Sequence, residues 1–82
     1  MPDDSVASLK QRIVTLTAEE FPGCRVVFED ETDAFVHFDI KDFSGDSVLA
    51  GGPAYLAVGI VDWPEQKFRY VFRQVCGKYA LP

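Results

Sequence analysis

The sequence predicts an α+β domain, with an N-terminal helix packed on a four-stranded antiparallel meander in the order αββββ. Three observations predict it. Apolar residues recur at three-and-four spacing near the N-terminus, which is the period of a helix. Two following segments alternate apolar and polar residues with period two, as strands buried on one face do. The remainder is rich in aromatic and β-branched residues, which suit a sheet. With 82 residues the chain has material for one core, so residues 1–82 form a single small domain.

The helix is expected from about Ser5 to Glu20, with Val6, Leu9, Ile13 and Leu16 forming its apolar stripe. Leu9, Ile13 and Leu16 should be the most buried residues of the first twenty. Asp3, Asp4 and Ser5 offer N-cap oxygens and negative charge at the positive end of the helix dipole. Phe21-Pro22-Gly23 stops the helix, because proline disfavours helical geometry in the residue before it.

Two strands follow. In the first, Cys24, Val26 and Phe28 alternate with Arg25, Val27 and Glu29; in the second, Ala34, Val36, Phe38 and Ile40 alternate with Phe35, His37 and Asp39. The polar tract Glu29 to Asp33 makes a hairpin connection. Residues 41–53 form a long connection punctuated by Gly45, Gly51, Gly52 and Pro53, with Val48 and Leu49 tucked beneath it. A third strand is expected over Tyr55 to Val61.

Residues 67–76 fit two patterns. As a strand, Phe68, Tyr70 and Phe72 face one way and Lys67, Arg69 and Arg73 the other. As a helix, Phe68, Val71, Phe72, Val75 and Tyr79 form a stripe, Asp62-Trp63-Pro64-Glu65 fits a capping box and Gly77 a C-terminal stop. The crowding of Phe, Tyr, Val and Cys favours the strand. The alternative is αβββα. That order resembles the double-stranded RNA-binding domains, and the resemblance ends there. The segment before Phe68 lacks the basic, phosphate-binding helix start of those domains, and their function does not carry over.

Charge narrows the partners. The net charge is −5; residues 1–46 hold eleven acidic and four basic side chains, and residues 47–82 hold two and four. Binding to duplex phosphates relies on Lys and Arg, so nucleic acid is a disfavoured partner. The start, Met-Pro-Asp-Asp, has neither the basic nor the apolar region of a secretory signal. No apolar run, Ala54 to Val61 included, is long enough to span a bilayer. Cys24 and Cys76 then read as reduced thiols of a cytoplasmic protein.

Motifs for chemistry are weak. His37, the single histidine, shares a strand face with Asp39. A histidine beside a carboxylate can move protons, yet polar residues paired across a solvated sheet look the same. Asp39, Asp42 and Asp46 lack the alternate ligands, sixth-position glycine and twelfth-position glutamate of a calcium loop. One histidine and two separated cysteines are too few for zinc. Gly51-Gly52-Pro53 precedes a strand, and Pro53 removes a donor, so it reads as a turn and not a phosphate loop. The acidic tract Glu29 to Asp33 reads mainly as solvated, with a basic partner as its functional alternative. No catalytic residue, metal or cofactor is assigned.

The sheet face left open by a single helix carries more information. Val27, Phe35, Tyr55, Ala57, Val61, Val71 and Val75 would lie on it among charges, and a contiguous apolar patch marks an interaction site. These residues point to a non-enzymatic interaction module that self-associates as a homodimer, serving as an adaptor, inhibitor or accessory subunit. Phe35, Tyr55, Val61 and Val71 would supply apolar contact; His37, Arg69 and Arg73 would set register and charge. The alternative is a small-ligand-binding domain or minor enzyme. Its site would lie under the 41–53 loop, with His37 and Asp39 at the edge.

Overall fold

In a computed structural model, which describes residues 5–32, 34–49 and 52–77, the chain runs helix, three strands, helix. Helix α1 spans Ser5–Glu20 and buries Leu9, Ile13, Leu16 and Thr17, so the expected stripe is the core face. The Thr17 hydroxyl donates to the Ile13 carbonyl within the helix at 2.8 Å, which lets a polar side chain share that face. The helix ends as expected: the Phe21 amide bonds back to the Thr17 carbonyl at 2.9 Å, and Gly23 turns the chain at φ 84°. Asp3 and Asp4, the expected capping residues, lie outside the described residues.

Strands β1 (Arg25–Glu31), β2 (Phe35–Lys41) and β3 (Ala54–Ala57) form an antiparallel sheet in the order β1-β2-β3. Val26 pairs with Ile40, Val27 with Asp39 and Phe28 with Phe38; an irregularity at Glu29 then brings Asp30 opposite His37. On the other side of β2, His37 pairs with Tyr55 and Phe35 with Ala57. The 41–53 connection opens with a tight turn. The Asp42 carboxylate accepts the Ser44 and Asp46 amides at 2.8 and 3.1 Å, and Ser47 returns beside Lys41. Leu49 is buried, as expected, while Val48 is exposed.

Two expectations need correction. The third strand stops at Ala57, and Val58–Ile60 form a 3-10 helix that still buries Val58 and Ile60. Residues 67–76 are not a fourth strand: helix α2 spans Glu65–Val75 with Cys76 as its C-cap, and the order is αβββα. Phe68, Phe72 and Cys76, four apart, are all buried, whereas Tyr70 is 51% exposed. A strand would have hidden Tyr70 with the two phenylalanines. The expected capping box does not form, since the N-cap residue is Pro64 and no side chain caps it. Gly77, at φ 72°, does terminate the helix.

Both helices cover the same side of the sheet. Leu9, Ile13 and Leu16 of α1 and Phe68 and Phe72 of α2 join Val36, Phe38, Ile40 and Leu56 in one core. Phe72 stacks on Phe38 with ring centroids 6.0 Å apart and planes 1° from parallel. Burying a side chain of this size stabilises by about 1.5–3 kcal/mol. No helix among the described residues is long and apolar enough to cross a membrane.

Candidate functional site

The side of the sheet away from the helices carries Val27 from β1, Phe35, His37 and Asp39 from β2, and Tyr55 and Ala57 from β3, by strand alternation. Three of these form an aromatic cluster. Phe35 meets Tyr55 edge to face, with centroids 5.5 Å apart at 81°. His37 lies against the other side of Tyr55 at 5.4 Å. Phe35 is 40% exposed and Tyr55 is 55% exposed, so the cluster faces solvent. Tyr55 and His37 are direct cross-strand partners and Phe35 is the diagonal one, the geometry in which long side chains meet on a sheet.

Around the cluster the face turns polar and inward. Asp39 is only 4% exposed. Its carboxylate accepts the Ser47 hydroxyl at 2.6 Å and the Ile40 amide at 2.8 Å, with the Lys41 ammonium 3.6 Å away. Asp39 therefore anchors the turn that follows β2. Nδ1 of His37 is buried and has no hydrogen-bond partner among the described residues.

The remaining candidates belong to the helical layer. Val61 and Val71 are half-buried and pack against the core. Arg69 and Arg73 join the helices. The Arg69 guanidinium reaches Glu19 at 2.7 Å, Glu20 at 2.9 Å and Glu65 at 2.8 Å. Arg73 grips both oxygens of Glu20, its Nε at 2.8 Å and its Nη2 at 2.7 Å. Hydrogen bonding to Glu19 and then Glu20 holds the Arg69 pKa above its ordinary value. Val61 shared the open face only if the third strand ran on to it, and Arg69, Val71 and Arg73 only if residues 67–76 formed a strand. The 3-10 helix at Val58–Ile60 and helix α2 carry them away from Phe35, His37 and Tyr55.

Arg12 is a structural residue that the sequence did not single out. Its guanidinium donates to the Val61 and Trp63 carbonyls at 2.7 and 2.9 Å and lies over the Phe68 ring at 3.9 Å. Phe43 was also missed; it sits in the turn after β2, 95% exposed. The Asp42-to-Asp46 turn chemistry is the sequence signal that places it there.

A ligand site needs convergent polar groups in a concavity. Near the 41–53 segment the structure offers a shallow, mainly apolar depression lined by Pro53, Ala54, Tyr55 and Val75, without His37 or Asp39. Among the described residues, no three His, Cys, Asp or Glu side chains gather as metal ligands. Cys24 and Cys76 are free thiols. Comparison with models of known protein families, with curated proteins and with solved structures finds no match.

Proposed function

We propose that this chain is a small cytoplasmic, non-enzymatic interaction module that self-associates through the open face of its sheet. In this role it serves as an adaptor, inhibitor or accessory subunit, with another protein as its partner and nucleic acid disfavoured by its net charge of −5. The observation that carries the reading is the solvent-facing Phe35–Tyr55–His37 cluster on a sheet face that neither helix covers. Aromatic rings are the side chains that most often anchor protein contacts, because they bury much area at little conformational cost. The rings also hold one another in place, which lowers the entropy lost on docking.

The homodimer remains the expected assembly for this face, since two-fold contacts of one patch with itself are the commonest closed arrangement. Light scattering on the purified chain tests it. The wild type should show a mass above the 9.2 kDa of one chain, and Phe35→Glu should lower that mass while circular dichroism stays unchanged. A monomeric wild type at high concentration, or a mass indifferent to Phe35→Glu, would remove the basis for the reading.

A further inference from the structure

Strand β1 is an edge of the sheet, and its outward hydrogen-bonding groups follow from the ladder. The Ile40 carbonyl accepts the Val48 amide, so Ile40 directs its backbone groups away from β1. Its partner Val26 is therefore in a non-bonded pair with it and turns its own N–H and C=O to the outer edge. Alternation gives Phe28 the same outward groups, and gives Arg25 and Val27 groups directed at β2. Along this edge runs a groove of about 320 Å³, walled by Val14, Thr17 and Ala18 of α1 and by Cys24, Arg25, Val26 and Phe28. Val14 is an exposed large apolar side chain. An unpaired edge beside an apolar groove is the setting in which an added strand is bound.

We infer that the occupant is β1 of a second copy, paired antiparallel about a two-fold axis at Val27. Outward groups must meet outward groups, which allows an axis at Val26, Val27 or Phe28; charge selects Val27, and Val26 of each copy then exchanges hydrogen bonds with Phe28 of the other. The same register sets Arg25 of each copy opposite Glu29 of the other. Arg25 and Glu29 are exposed and make no ion pair among the described residues. The run Arg25-Val26-Val27-Phe28-Glu29 is thus its own complement, basic at one end, acidic at the other and apolar between. Asp30 and Glu31 lie past the irregularity at Glu29, outside the regular stretch that pairs. The irregularity at Glu29 and the charges nearby, which would discourage foreign strands, leave the regular stretch from Arg25 to Phe28 free to pair. Val26 and Phe28 point toward the helical side, so the two α1 helices approach across the axis at Val14 and Ala18.

This contact is separate from the open face but rests on the same reading of a self-associating module. A chain using both builds a closed four-chain assembly where the two axes cross at right angles and a continuing chain of copies where they do not. Sedimentation equilibrium on the full chain, with Phe35→Glu, Arg25→Glu and the exchange R25E/E29R, separates the two contacts. Phe35→Glu should still form a two-chain species. Adding Arg25→Glu to it replaces two Arg–Glu pairs by two Glu–Glu pairs and should raise the dissociation constant about tenfold or more. Adding the exchange R25E/E29R instead should restore the two-chain species. In the Phe35→Glu protein the Val26 and Phe28 amides should exchange slowly with deuterium at high concentration and quickly on dilution. A monomeric Phe35→Glu protein beside an associating wild type overturns the edge contact and leaves the face. A two-chain Phe35→Glu protein that ignores Arg25→Glu also overturns the edge contact. A wild type that is two-chain, indifferent to Phe35→Glu and dissociated by Arg25→Glu supports the edge and removes the face.

Discussion

Replacing Phe72 by alanine removes a fully buried ring that stacks on Phe38 and meets Phe21 edge to face at 6.4 Å. Emptying such a site costs about 3–5 kcal/mol, the lost transfer energy plus the cavity left behind. A domain of this length has about 4–12 kcal/mol of stability in all, so Phe72→Ala removes from about a quarter to all of it. Phe72→Leu keeps most of the volume and should cost about 1–1.5 kcal/mol, which keeps the site measurable. The informative contrast is Tyr70→Ala. On α2, Tyr70 is half-exposed, and its truncation should cost no more than about 1 kcal/mol. On a fourth strand, Tyr70 would share the core face with Phe68 and Phe72, and its loss would match theirs. Urea unfolding followed by fluorescence reads the difference. With a slope near 1 kcal/mol per molar for a chain this small, Phe72→Ala should lower the midpoint by about 3–5 M and Tyr70→Ala by no more than about 1 M. Equal losses at the two positions would refute the helical assignment and the packing built on it.

Far-ultraviolet circular dichroism should show about one third helix, from the sixteen residues of α1 and eleven of α2, where a single helix would give about one fifth. Ser47→Ala removes the 2.6 Å hydrogen bond to the nearly buried Asp39 carboxylate and should cost about 1–3 kcal/mol in thermal or urea unfolding. A double-mutant cycle over Glu20→Gln and Arg73→Gln should give a coupling of about 1–3 kcal/mol, because Glu20 is held bidentately at a poorly exposed site; a coupling near zero would make that pair incidental.

The helix stripe and the first two strands were legible because each is decided by its own period. Leu9, Ile13 and Leu16 fit only a helix buried on one face. Val36, Phe38 and Ile40 fit only a strand, and all three are buried. The segment 67–76 was ambiguous for a geometric reason. Phe68 and Phe72 are four apart, and that spacing returns to the same side of a helix and of a strand. The deciding residues were the quieter ones: Cys76 continues the helical stripe into the core, and Tyr70, which a strand would bury, faces out. Local preference for sheet among Phe, Tyr and Val lost to the burial that α2 gains over β2 and β3. The candidate site divided along the same line. Phe35, His37 and Tyr55 needed only the β2–β3 register to meet. Val61 needed a longer third strand than the one that formed, and Arg69, Val71 and Arg73 needed the fourth strand that did not form.

That division changes what the charges of the chain are for. The opposite signs of the two halves suit a dimer in which a basic last strand meets an acidic hairpin. In the folded chain, the two arginines of the second half turn inward to their own acidic neighbours: Arg69 to Glu19, Glu20 and Glu65, and Arg73 to Glu20. Lys10 pairs with Glu31 in the same way. Pairs already satisfied within one chain offer little to a second, because a new partner would have to replace contacts of equal quality. Arg25 and Glu29 differ in that they stand on the same edge strand, two residues either side of Val27, with no internal ion pair among the described residues. In the proposed edge contact, charge complementarity between copies therefore rests on two residues of one strand and not on the halves of the sequence. A substitution at Arg69 or Arg73 should accordingly weaken the fold and leave the sign of any association unchanged, whereas reversal at Arg25 should weaken association and leave the fold intact.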